Sequence, residues 1–147
     1  TRNSTSSQVF ATGRYFIYPG EKTYLIRPNV NHIPSPGDRL EITLTNLEWS
    51  KAEDFEKLAV FIRNSSIVES EEGIRVEGSI FNDTLSPAED VRIFAVFKNQ
   101  SNQPAGASET SVRIDSKGSA NFSIFHPPIE GFREENTLVD FSVLPNN

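Results

Sequence analysis

IRVEGSIFNDTLSPAEDVRIFAVFK, from Ile74 to Lys98, holds two strands of different character. In the first, Ile74, Val76, Gly78 and Ile80 alternate with Arg75, Glu77 and Ser79, the period of a half-buried strand. In the second, Val91, Ile93, Ala95 and Phe97 share one face, but Phe94 and Val96 make the other face apolar too. A strand apolar on both faces is central in its sheet or covered on both sides. The residues from Asn82 to Asp90 read as the turn region between them.

Working outward, the chain keeps to short strands and turns. Downstream, residues 99–106 form a polar loop ending in Pro104 and Gly106. Val112-Arg113-Ile114 then leads into Asp115-Ser116-Lys117-Gly118, a composition suited to a hairpin turn. Phe122 and Ile124 continue, and Val139, Phe141 and Val143 close the domain. Upstream, Leu58 to Arg63 reads as an apolar strand, and Ser50 to Lys57 as a single helical turn with Ser50 as N-cap and Glu53 behind it. Residues 8–18 and Lys22 to Arg27 are strand-like, separated by the turn Tyr18-Pro19-Gly20-Glu21. Pro28, Pro34 and Pro36 mark an irregular loop, after which Leu40, Ile42 and Leu44 alternate with Glu41, Thr43 and Thr45. The pattern predicts an all-β, antiparallel β-sandwich, with about seven strands between Leu58 and Leu144.

The last third echoes the first. Tyr24 and Ile26 follow Gly20 at the offsets by which Phe122 and Ile124 follow Gly118. Pro28 precedes Leu40, Ile42 and Leu44 by the interval that separates Pro127 from Val139, Phe141 and Val143. One residue inserted between Gly118 and Pro127, as a β-bulge supplies, reconciles the blocks. On this reading residues 1–50 resemble the closing strands of a second sandwich, and residues 57–147 form a complete copy. The first block then packs on the complete copy, is completed by another chain, or was cut inside a repeat.

The complete copy resembles the FxLYD family of bacterial and archaeal extracytoplasmic domains. The eponymous segment maps to Phe94-Ala95-Val96-Phe97-Lys98, with Lys98 where the family has aspartate. Val76-Glu77-Gly78-Ser79-Ile80-Phe81-Asn82 is similar to the family's V-x-G-x-V-x-N strand. The family's Pro-Gly-Glu turn stands in the first block as Pro19-Gly20-Glu21 and in the second has become Lys117-Gly118-Ser119. The resemblance implies an immunoglobulin-like sandwich of a cell-envelope or surface protein, often tethered behind a membrane anchor. It brings no catalytic residues to transfer.

Composition narrows the function classes. The 147 residues carry a formal charge of -6, so nucleic acid and anionic membrane surfaces repel the chain on average. With no cysteine there are no disulfides, thiolate metal ligands or cysteine nucleophiles. No apolar run is long enough for a membrane-spanning helix. The chain opens Thr1-Arg2-Asn3-Ser4 without Met and so reads as a processed or excised piece, for which an upstream anchor is the one expected link to a membrane.

Candidate chemistry is sparse. His32 and His126 occupy corresponding Pro-flanked loops without a carboxylate near enough in sequence to complete a metal site. Glu69, Glu71 and Glu72 lack the alternate spacing of a calcium loop and read as a solvated charge run. No phosphate-binding loop or nucleophile elbow occurs, so no metal, cofactor or catalytic residue is assigned and the chain is not expected to be an enzyme. Glycosylation sequons occur at Asn3, Asn64, Asn82, Asn99 and Asn121. Tyr15, Tyr18, Tyr24 and Trp49 concentrate aromatic rings in the first block, suited to a protein interface or a sugar-stacking face. The expectation is therefore a non-catalytic structural or protein-interaction module, pairing with a partner or with itself through strand edges. A carbohydrate-binding module is the alternative.

Overall fold

The computed structural model describes residues 16–18, 20, 24–26, 39, 41–49, 51 and 58–143. Among them run six strands: β1 (Val60–Ser70), β2 (Gly73–Asn82), β3 (Ala88–Lys98), β4 (Pro104–Ile114), β5 (Ser119–His126) and β6 (Leu138–Val143). They form two antiparallel three-stranded sheets, in the orders β1-β2-β5 and β4-β3-β6. A short 3-10 turn, Glu134–Asn136, lies on the way from β5 to β6. The architecture is the expected all-β sandwich, with six strands among the described residues where about seven were predicted.

The period-two pattern does what it promised. Ile74, Val76 and Ile80 of β2 turn inward with Ile124 of β5, and face Val91, Ile93, Ala95 and Phe97 of β3 and Ile114 of β4. Every buried residue of this core lies between Leu58 and Val143. Gly78 keeps the inward face flat where a larger residue would not fit. A Cβ there would collide with the Asn64 carbonyl oxygen and stand 2.6 Å from Cζ of Phe122, whose ring fills the space beneath. The β1–β2 hairpin closes through Glu71 and Glu72, and Gly73 follows at φ 147°, backbone that favours glycine.

The doubly apolar β3 is both central and covered. Phe94 and Val96 face away from the core, yet each is only 3 % exposed, because Ile26 packs against them together with Leu138. Tyr24 lies on the same face, its ring 5.6 Å from that of Phe94. Tyr24 and Ile26 of the first block thus pack on the outer face of the β4-β3-β6 sheet.

Several sequence expectations need correction. The Asp115–Gly118 turn exists, closed by Gly118 N–H donating to Asp115 O at 3.0 Å, but it joins β4 to β5 across the two sheets and is no hairpin. The cause is capture by the end of β2: Asn82 N–H donates to Gly118 O and Lys117 N–H to Thr84 O, drawing the chain onto the opposite sheet. Pro104 and Gly106 belong to β4, not to the preceding loop. β1 extends through polar Asn64, Ser65 and Ser66 to Ser70, well past Arg63. Residues 41–49 carry no strand, although Ile42 and Leu44 alternate as a strand would. Alternation prepares a face, but a strand also needs partners for its N–H and C=O groups, and none of the described residues supplies them. Residues 16–18 and 24–26 likewise carry no strand, and Lys51 no helix. The remainder of strands 8–18 and 22–27, the helical turn's residues 50 and 52–57, and the prolines at 28, 34 and 36 lie outside the described residues.

Candidate interaction surfaces

Trp49 is 91 % exposed, and it ends a run in which Ile42, Leu44 and Leu47 are 70 %, 67 % and 61 % exposed. Four large apolar side chains within eight residues stand in solvent beside a well-packed sandwich. Trp49 makes no ring contact among the described residues. The other aromatic candidates serve differently: Tyr24 rests on Phe94, and Tyr18 is half-buried with its ring edge-on to Phe16 at 4.8 Å. Tyr15 lies outside the described residues. Among the described residues, no ring contact joins Tyr18, Tyr24 and Trp49 to one another.

A second surface is the outer face of the β1-β2-β5 sheet. A bulge between Ile62 and Asn64 pushes Arg63 out of register. Arg63 then lays its guanidinium 3.9 Å from the Phe81 ring, beside Phe61, whose ring is 5.3 Å from that of Phe81. Beyond the bulge, register places Asn64, Ser79 and Asn121 in one row and Ser66, Glu77 and Ser123 in the next. Ser79 donates to Asn64 Oδ1 from its backbone N–H at 3.0 Å and its hydroxyl at 3.1 Å. These rows line an open groove of about 680 Å³. At its far end Arg75 approaches the half-exposed Phe125 ring at 6.0 Å. Amides, hydroxyls and one carboxylate flanked by aromatic rings are groups that hold polyhydroxylated ligands. The sequence did not show this groove, since its residues come from three strands and meet only through register.

The sequon asparagines separate by environment. Asn64 and Asn121 are exposed in the groove rows, and Asn3 lies outside the described residues. Asn99 uses Oδ1 to accept from Ser101 and Gln103 N–H at 3.0 and 3.1 Å, shaping the β3–β4 turn. Asn82 is a correction: it is 0 % exposed, and its Nδ2 donates to Ser86 O at 2.8 Å and Asp115 O at 3.2 Å. A sugar on that nitrogen is incompatible with the fold.

His126 is not a loop residue. It ends β5, half-buried, with its ring 4.9 Å from that of Phe97 and Nδ1 2.7 Å from Pro127 O. A carbonyl only accepts, so in this arrangement Nδ1 carries the hydrogen. His32 lies outside the described residues. Glu69, Glu71 and Glu72 are solvent-exposed at and beside the β1–β2 turn. No group of three or more His, Cys, Asp or Glu side chains arranged for a metal ion occurs among the described residues. No protein-family model matches the chain, and no curated protein is significantly similar to it.

Proposed function

We propose that this chain is a non-catalytic structural or protein-interaction module of an extracytoplasmic, cell-envelope or surface protein. The observation that carries the interaction reading is the exposed run Ile42, Leu44, Leu47 and Trp49. Large apolar side chains exposed this close together in the sequence support a binding site, and a Trp anchor is typical of interface hot spots. The FxLYD-like motifs support an extracytoplasmic setting, and together with the strand order they support an immunoglobulin-like module. The first, second and fifth strands share one sheet and the third, fourth and sixth the other, as A, B, E and C, C′, F strands do. The test places a photo-crosslinking amino acid at Leu47 in producing cells and fractionates them. A defined protein adduct in the envelope or surface fraction supports the reading. An adduct-free protein, or one confined to the cytoplasm, overturns it.

The groove favours a second reading, a carbohydrate-binding module. Glu77→Gln and Asn121→Asp are conservative changes at exposed positions, so they test binding without disturbing the core. Calorimetric titration with neutral oligosaccharides should show binding that both variants weaken. Heats indistinguishable from buffer at millimolar sugar would rule this reading out.

A further inference from the structure

We infer that residues 41–49 of one copy of this chain add as a strand to the free edge of β6 in a second copy, an inference that rests on the interaction reading above. The acceptor is specific. β6 pairs only with β3, so its other edge carries no strand among the described residues, and an immunoglobulin-like sheet places a further strand at this side of its F strand. Of the four sheet edges this one is least guarded by its own sequence. β1 bears a bulge with Arg63, β4 opens with proline and carries Glu109 and Arg113, and β5 alternates with Ser119, Asn121 and Ser123. β6, Leu-Val-Asp-Phe-Ser-Val, has no proline, bulge, lysine or arginine. One local device occupies the edge: Asp140 Oδ1 accepts the Phe141 N–H at 2.8 Å, a donor that an added strand would otherwise take.

The donor is on the same chain. Glu41-Ile42-Thr43-Leu44-Thr45 has the alternation of β6 itself, and in the internal repeat Ile42 and Leu44 correspond to Phe141 and Val143. Among the described residues its backbone has no strand partner and the β6 edge carries no strand, while its apolar side chains are exposed. That coexistence points to a second copy as the occupant. The exposed side chains of Ile42, Leu44, Leu47 and Trp49 offer on the order of 500 Å² per copy. Reciprocal exchange counts this area twice and covers a similar area on two acceptor edges, which clears the ~1,000 Å² of a specific interface. Main-chain pairing would supply affinity and the alternate side chains specificity.

The experiment is light scattering after size exclusion on the full chain across a concentration series, with three designed variants. The wild type should dimerise. Ile42→Asp with Leu44→Asp should be monomeric with an unchanged circular dichroism spectrum, since both positions are exposed. Asp140→Ala, which frees the Phe141 N–H on both acceptor edges, should dimerise at about five- to 150-fold lower concentration, the worth of two hydrogen bonds per reciprocal dimer. Because the chain has no cysteine, Thr43→Cys with Ser142→Cys adds the only thiols, and a short bismaleimide should link two chains. A monomeric wild type overturns the inference, as does a link formed within one chain. Association that survives the Ile42/Leu44 variant also overturns it, while leaving the interaction reading standing. A protein confined to the cytoplasm of producing cells, with dimerisation intact, would instead remove the wider reading's envelope setting and keep the dimer.

Discussion

Asn82 shows how one side chain can hold a sandwich's corners. It is the one buried polar residue among those described. Its amide lies between the β2–β3 crossover and the β4–β5 crossover. Nδ2 reaches Ser86 O at 2.8 Å, Asp115 O at 3.2 Å and Ile114 O at 3.4 Å, while Oδ1 accepts from the Thr84 hydroxyl at 2.7 Å and its N–H at 3.1 Å. The V-x-G-x-V-x-N pattern thereby gains a physical meaning: glycine makes room for Phe122, and asparagine ties two connections. Asn82→Ala should destabilise the fold by about 2–4 kcal/mol, because it strands several buried polar groups at once. Urea denaturation measures this, and a loss below about 0.5 kcal/mol would show water taking the amide's place. Asn82→Asp should be no milder, since a carboxylate would face carbonyl oxygens. The sequence marked Asn82 only as a sequon, because a tripeptide pattern carries no information about burial.

At the scale of elements, what was legible depended on whether a strand's partners were already implied. β2 and β3 were readable because their own residues demand burial, and β3's second apolar face correctly predicted a cover. β4 was not, since eleven residues of mostly Ala, Ser, Thr and Glu give no strong alternation and begin with Pro-Ala-Gly. Residues 41–45 show the opposite failure: clean alternation without a partner among the described residues gave no strand. The identity of the cover was equally hidden, since it comes from Ile26, more than sixty residues upstream. Ile26 is 7 % exposed against Phe94 and Val96, but it joins them on the outside of the sheet and not in the inter-sheet core. Ile26→Ala should therefore loosen the cover before it threatens the sandwich. The expected global loss is about 1–2 kcal/mol, at or below the low end for a buried isoleucine. Hydrogen exchange should meanwhile quicken around Tyr24–Ile26. A loss of 4 kcal/mol or more would show that the cover and the core unfold as one unit.

At the scale of the molecule, the same separation predicts how the chain divides. All buried residues of the inter-sheet core fall between Leu58 and Val143, and both crossovers fastened by Asn82 lie within that span. The described first block adds Ile26 to a separate, outer cluster. A fragment beginning at Asp54 keeps every core residue and all six strands, so it should fold cooperatively, with a single urea transition. What it loses is the cover: Phe94 and Val96, each 3 % exposed in the full chain, become an apolar patch in the middle of an open sheet face. The fragment should accordingly bind a hydrophobic dye more strongly than the full chain and be less soluble, while its far-ultraviolet spectrum keeps its strand signature. Replacing Phe94 and Val96 by Thr in the fragment should restore solubility, because Thr keeps strand preference and suits a wet face. The same pair of changes in the full chain should be destabilising, since there it buries two hydroxyls beneath Ile26. This opposite response distinguishes a first block that covers the sheet from one that merely precedes it. If the fragment fails to fold, the first block is part of the core's folding unit and the division at Leu58 is wrong.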